Sequence, residues 1–394
     1  MSWVTKKVSD FADVVTGGTP STSNSDYWTN GTIPWLPSGA CQNCVINSAD
    51  TFITELGLRE SAAKMMPPDT VVIALTGATT GKVGLLAIDA CANQSVTGIL
   101  PNDTYSSMYL FHYLQSIRDK VIGDSYGGAQ KHISQGYVKS MEILFPPLDI
   151  QRRIAAVLDK AQSLITARRE QLAVLDKLSK DLFIDMFGDP LQNPYNFEVV
   201  KMGTLGTFKN GMNYAQNESG FKIKCLGVGD FGALFNINAA ILSAISLAGK
   251  PSDGYMLQNG DIVFVRSNGS KELVGRSVMI ENVENDDVTF SGFCIRLRIT
   301  DDSIHPLYLN SLLHLEESRN ALFRTTRGAN IQNLNQQMLS ALDIIKPSIE
   351  KQQEFAGKIT AINQQKARLN ASLTELETLY KSLTQRAFAG ELFT

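Results

Sequence analysis

The chain has 394 residues, 43% of them hydrophobic and 19% charged, which suits two or three domains with real cores and excludes a disordered chain. Its longest apolar stretch, Ala239–Ala248, is broken by Ser243 and Ser246, short of the roughly 18 apolar residues of a membrane span. The net charge of −3, from 36 Lys plus Arg against 39 Asp plus Glu, excludes nucleic-acid binding by bulk positive charge, so any DNA contact must come from a local patch or a partner. The opening Met1-Ser2-Trp3-Val4-Thr5-Lys6-Lys7 has no apolar segment behind its charges, unlike a signal peptide, and a soluble cytoplasmic protein is expected.

The five cysteines are an odd number in a long chain and fit reduced thiols. Cys41-Gln42-Asn43-Cys44 has the spacing of a metal pair, but no second pair follows, and Cys91, Cys225 and Cys294 stand alone. No metal site is expected.

In chain order the strongest signal is a duplication with a period of about 200 residues. Asp69-Thr70-Val71-Val72-Ile73-Ala74 reads as a strand that runs through a Gly-containing turn into a second one, Val83–Ile88. Its later counterparts are Asp261-Ile262-Val263-Phe264-Val265-Arg266 and Val274–Ile280. A helical segment follows in each copy, Tyr109–Leu114 and Tyr308–Leu313. Next come Gly128-Ala129-Gln130-Lys131-His132-Ile133-Ser134 and Gly328-Ala329-Asn330, the latter with Asn333-Leu334-Asn335 after it. Both copies then run through a strand into proline, Met141–Pro147 and Leu342–Pro347.

After each proline the period changes from two to 3.6, predicting a long amphipathic helix of about 35 residues and roughly 50 Å. A heptad frame fits both. In the first, Leu158, Ile165, Leu172 and Ser179 alternate with Ala161, Arg168, Leu175 and Leu182. In the second, Ile359, Lys366, Leu373 and Tyr380 alternate with Ile362, Leu369, Leu376 and Leu383. Two such helices predict a helix–helix rod. Phe187-Gly188-Asp189-Pro190 with Asn193-Pro194 ends the first and Phe388-Ala389-Gly390 the second, as Gly and Pro do beyond a helix end.

Catalytic motifs fail on inspection. Gly77-Ala78-Thr79-Thr80-Gly81-Lys82-Val83 is one residue short of a phosphate loop, and Val83 replaces the hydroxyl that holds Mg²⁺. Asn193-Pro194-Tyr195 lies in a linker without a Gly-rich cofactor loop after a strand, and the four histidines His112, His132, His305 and His314 form no metal motif. What remains are polar loops at matching places. They hold Thr79, Thr80, Lys82, Gln130, Lys131 and His132 in the first copy, and Arg266, Ser267, Asn268, Lys271, Arg276, Arg327, Asn330 and Gln332 in the second. Arg and Lys pair with guanine edges, Asn and Gln with adenine, and all reach phosphates. These are the candidate DNA-binding residues.

The chain resembles the specificity subunit of type I restriction–modification systems. The resemblance rests on Pro146-Pro147-Leu148-x-x-Gln151-Arg152-Arg153-Ile154-Ala155, on Phe187-Gly188-Asp189-Pro190 with Asn193-Pro194, and on the Asp261–Arg276 and Gly77–Gly84 regions. The second helix start departs from it, with one proline in Lys346-Pro347-Ser348 and the looser Gln352-Gln353-Glu354-Phe355-Ala356. The resemblance implies an α+β fold with two similar mixed α/β target recognition domains, residues 1–148 and 189–347. Each is followed by a conserved helix, 149–188 and 348–394, and the two pack as an antiparallel coiled coil with pseudo-two-fold symmetry. It implies a non-catalytic subunit that reads a bipartite double-stranded DNA site, with the helices as a ruler. Two methyltransferase subunits would bring S-adenosylmethionine, and restriction subunits ATP and Mg²⁺. Two alternatives stay open on the residues alone: a duplicated coiled-coil adaptor without a DNA role, and a divergent nucleotide-dependent enzyme using Gly77–Lys82.

Overall fold

The structure, a computed structural model, describes residues 3–127, 131–214, 220–231, 235–268, 272–284, 288–324 and 333–393. The chain divides into two compact units, Met1–Arg169 with Ala371–Thr394 (unit 1) and Glu170–Asn370 (unit 2). Unit 1 contains β1 (Val4–Lys7), β2 (Val14–Thr16), β3 (Ile33–Leu36), β4 (Cys44–Ile46), β5 (Phe52–Ile53), α1 (Glu55–Arg59), β6 (Val71–Ala74), β7 (Val83–Leu86), β8 (Cys91–Ala92) and β9 (Val96–Ile99). Helices α2 (Ser107–Ser116), α3 (Arg118–Asp124) and α4 (Gln135–Ser140) lead to β10 (Glu142–Phe145) and the 40-residue α5 (Leu148–Phe187).

Unit 2 follows the same plan. Its strands are β11 (Glu198–Lys201), β12 (Gly206–Asn210), β13 (Phe221–Leu226), β14 (Asn236–Asn238), β15 (Ala244–Leu247), β16 (Ile262–Val265), β17 (Ser277–Glu281), β18 (Val288–Phe290) and β19 (Cys294–Ile299). Helices α6 (Pro306–Leu313), α7 (Glu316–Arg324) and α8 (Gln336–Ser340) precede β20 (Asp343–Lys346) and the 40-residue α9 (Ile349–Phe388).

Unit 1 has a five-stranded sheet β2-β9-β6-β7-β4, a three-stranded sheet β5-β3-β8 and a ribbon β1-β10. In unit 2 the corresponding orders are β12-β19-β16-β17-β14, β15-β13-β18 and β11-β20, so each strand of unit 1 has its partner ten strands on. The expected α+β class with two similar domains is what the chain adopts. The central strands are β6 and β16, whose four residues are all buried in each case. They are Val71-Val72-Ile73-Ala74 and Ile262-Val263-Phe264-Val265, branched or aromatic for the most part, which suits a strand covered on both faces. Each buried Val, Ile or Phe contributes about 1.5–3 kcal/mol of transfer free energy.

Glutamines at the starts of α5 and α9 explain the proline–glutamine motif. Gln151 is fully buried; its Nε2 donates to the Pro146 carbonyl (2.9 Å) and its Oε1 accepts from the Ser106 N–H ahead of α2 (3.0 Å). Gln352 repeats this, donating to the carbonyls of Pro347 (2.8 Å) and Ser303 (3.0 Å) and accepting from the His305 N–H (2.8 Å). The weaker sequence match at the second helix therefore hides the same contact. Tyr109 and Tyr308 are a second matched pair, donating to the carbonyls of Leu144 (2.7 Å) and Ile345 (2.8 Å).

Every heptad-seam position named above is buried or half-buried. The seam includes the expected packing residues Leu158, Ile165, Leu172, Leu175 and Leu182, and Ile359, Ile362, Leu369, Leu373, Leu376 and Leu383. Within unit 2, Lys366 on the seam pairs with Asp176 (2.5 Å) and Lys358 Nζ lies near Met186 Sδ (4.0 Å), so the helix segments run in opposite directions. In unit 1, Arg169 pairs with Glu377 (2.6 Å) and Arg153 lies over the Phe393 ring (4.2 Å), in the same sense.

The helices pack on each other as expected, and near their ends they also join the globular cores. Ile154, Ala155 and Leu158 belong to the core of unit 1 together with Tyr109, Leu110 and Ala387, and Phe183, Phe187, Phe355 and Ala356 to that of unit 2 with Tyr308. Phe183 and Phe187 lie off the seam, which widens the apolar stripe beyond what a two-helix contact needs and lets one helix serve two surfaces.

Candidate nucleic-acid interface

In each unit the central strand ends in a polar loop held by the same backbone contacts. The Gly81 N–H donates to Ala74 (2.9 Å), and the Gly275 N–H to Val265 (3.0 Å). Both glycines have positive φ, 73° and 82°, a conformation that disfavours other residues. The Leu75 N–H donates to Ser95 (2.8 Å), and the Arg266 N–H to Phe293 (2.8 Å). The Ile133 N–H donates to Leu75 (2.9 Å), and the Leu334 N–H to Arg266 (2.7 Å). Thr76 bridges to His132 as Ser267 does to Asn333. Hence Leu75 matches Arg266, Lys82 matches Arg276, Ser95 matches Phe293 and His132 matches Asn333.

On this shared frame the exposed chemistry differs. In unit 1, Lys82 Nζ donates to Gln42 Oε1 (2.6 Å), Lys131 is exposed, and the half-buried His132 ring meets the edge of Tyr126 at 4.9 Å. Thr79 is half-buried and donates to the Thr76 carbonyl (3.3 Å). Thr80 corrects the sequence expectation. It is 2% exposed, and its hydroxyl lies within hydrogen-bond distance of the carbonyls of Gly77 (2.8 Å) and Lys131 (3.0 Å), so it shapes the loop and offers no group to a duplex. In unit 2, Arg266, Ser267 and Asn268 are half-buried at the end of β16, and Arg276 Nε donates to the Glu272 carbonyl (3.2 Å). Gln130, Lys271, Arg327, Asn330 and Gln332 lie outside the described residues.

Three participants escape sequence reading. Tyr126 and Phe293 are each 60% exposed at these loops, and solitary aromatics carry no motif. Arg118, at the start of α3, packs its stem beneath the loop. A Cβ at Gly81 would lie 3.4 Å from Arg118 Cγ. Its Nε is buried with no hydrogen-bond partner. In unit 2, Arg319 of α7 donates to the Glu272 carbonyl of the corresponding loop.

The phosphate-loop alternative fails on topology as well as spacing. Gly77–Lys82 joins antiparallel β6 and β7, so no helix N-terminus follows to hold an anion. The Cys41–Cys44 segment turns beside Lys82, with Asn43 Oδ1 accepting from the Val83 N–H (3.1 Å). Cys41 is a free thiol pushed up to about 12 by burial, the opposite of a reactive or metal-binding thiolate. Among the described residues no three His, Cys, Asp or Glu side chains cluster as metal ligands. No described helix is long and apolar enough to cross a membrane.

A scaffold built twice, with divergent polar rims, defines a two-site recognition protein. The family model of the type I restriction modification DNA specificity domain matches residues 1–176 and again 194–378; the chain belongs to that family. It is 26% identical to the type I restriction enzyme StySPI specificity subunit of Salmonella potsdam, over 99% of this chain and 89% of the relative. It is 28% identical to the MjaIX specificity subunit of Methanocaldococcus jannaschii over 56% of this chain, a match spanning about half (55%) of that relative. The S subunit of a type I restriction–modification system from M. genitalium has the same fold, with TM-score 0.62 and 14% identity over 98% of this chain and 96% of that one. A chain from a structure on complex assembly and conformational transition of the type I R-M system aligns with TM-score 0.55 and 17% identity over 99% and 98%. Neither the adaptor nor the nucleotide-enzyme alternative finds support.

Proposed function

We propose that each unit reads one half of a bipartite double-stranded DNA site through the loop cluster at the end of its central strand. In this reading α5 and α9, each about 60 Å long at 1.5 Å per residue, set the gap between the half-sites and help to hold two methyltransferase subunits. The chain itself is non-catalytic and acts in a cytoplasmic complex. S-adenosylmethionine belongs to the methyltransferases, which flip and modify the target base, and ATP and Mg²⁺ to restriction subunits. The observation that carries the proposal is the repeated backbone frame with different side chains on its rim: Lys82 against Arg276, His132 against Asn333, Ser95 against Phe293. A constant frame positions the loops, and altered donors and acceptors alter which base edges they fit. The exposed apolar residues Val174 and Leu178, one turn apart on α5, suit a protein partner more than solvent. The net charge of −3 fits partners that share the phosphate contacts.

The test is a methylome. Co-expression with the cognate methyltransferase in a methylation-free host is expected to yield a split motif that depends on this chain. Replacing residues 202–345 by the same segment of a relative should change one half of that motif and keep the other. A motif changed in both halves, or in neither, refutes the assignment of one half-site to each unit.

A further inference from the structure

The duplication provides an internal reference for a cavity in unit 2. In unit 1 the half-buried Tyr380 of α9 meets the buried His112 of α2, with the Tyr380 hydroxyl 3.3 Å from His112 Nδ1. The helix register and the matched Tyr109–Tyr308 and Gln151–Gln352 contacts place Ser179 where Tyr380 stands and Ser311 where His112 stands. Two serines thus replace an imidazole and a phenol. At that place unit 2 has a cavity of about 250 Å³ whose lining includes Ser179, Ser311, Phe183, Ile359, Asn363 and Lys366.

The lining defines what would fill it. Phe183 and Ile359 are buried apolar walls. Ser311 donates to the Leu307 carbonyl of its own helix (2.7 Å), and Lys366 is paired with Asp176 (2.5 Å). Ser311 Oγ, having donated its proton to that carbonyl, keeps acceptor capacity. An apolar cavity of about 150 Å³ is large enough for benzene. We propose that this cavity binds a small neutral phenol, whose ring takes the place of the missing Tyr380 equivalent and whose hydroxyl donates to Ser311 Oγ, as the Tyr380 hydroxyl faces His112 in unit 1. The site is separate from the DNA-facing loops and does not depend on the recognition reading.

The experiment is calorimetric titration of the full chain, without DNA, with p-cresol and with toluene. Saturable one-site binding of p-cresol is expected, with toluene several-fold weaker because it lacks the oxygen. Ser179→Tyr, which supplies the phenol covalently, should weaken p-cresol at least tenfold; Tyr380→Phe in unit 1 should leave it unchanged. If Ser179→Tyr does not fold, Ser311→His is read in its place, with the same loss expected. No saturable binding, equal binding of toluene, or wild-type binding by the cavity-filling variant overturns the proposal.

Discussion

Units 1 and 2 share a strand order, a glutamine staple and a tyrosine anchor, yet solve the same loop with different contacts. Seven positions separate Ala74 from Gly81 in unit 1, and ten separate Val265 from Gly275 in unit 2. The shorter loop is packed by Thr80, whose hydroxyl sits between the carbonyls of Gly77 and Lys131. The longer one is held by Arg276 and Arg319, which both donate to the Glu272 carbonyl. The difference teaches where change is tolerated. Contacts that join the long helices to each core and the backbone bonds that frame the loops are repeated, and the side-chain contacts that shape the rim are not.

The largest expected effect comes from breaking the repeated contact. Gln352→Leu leaves the His305 N–H and the Ser303 and Pro347 carbonyls without their partner; Gln151→Leu strands the Ser106 N–H and the Pro146 carbonyl. At about 1–3 kcal/mol for each buried group left unmet, Gln151→Leu should destabilise by at least about 2 kcal/mol and Gln352→Leu by at least about 3 kcal/mol in urea unfolding. Equal and negligible losses would show that the staples are incidental.

Acid should destabilise both units through histidines at non-equivalent places. Burial pushes His112 down to about 4, with Asp159 opposing, and His314 likewise to about 4. Between the unfolded value of about 6.5 and the folded value, only the unfolded chain takes up the proton. Stability therefore falls as pH drops through that window and is unaffected above it. At pH 5 each histidine should account for about 2 kcal/mol relative to pH 7. His112→Leu should flatten the slope in part, and a slope unchanged by either replacement would contradict the burial argument.

The smallest effect sharpens the loop comparison. Arg118 has a buried Nε without a partner, whereas Arg319 holds Glu272. If Arg118 supplies one phosphate contact, Arg118→Ala lowers the salt dependence of DNA binding by about one unit of slope while the half-site sequence stays the same. Arg319→Ala should instead alter what unit 2 reads, because its partner is the loop backbone. A methylome with both motif halves unchanged would contradict that.

The sequence by itself determined the duplication, the central strands and both long helices. Those signals are local and periodic: Val71–Ala74 and Ile262–Val265 are apolar throughout, and the seams from Leu158 to Leu182 and from Ile359 to Leu383 recur every three or four residues. Helix α5 spans Leu148–Phe187 and α9 Ile349–Phe388, 40 residues each against the roughly 35 read from the apolar period, because that period marks only the apolar face and not the polar turns at the ends. The candidate site was read as a set of polar loops, and backbone bonds between segments some 50 residues apart set the loop of Lys82 beside that of Lys131 and His132. Only the tertiary structure decided that Thr80 faces inward, that Arg118 lies under Gly81, and that Ser179 and Ser311 leave a cavity where Tyr380 and His112 stand. Burial and hydrogen-bond satisfaction depend on which segments meet in space, and no local period records that.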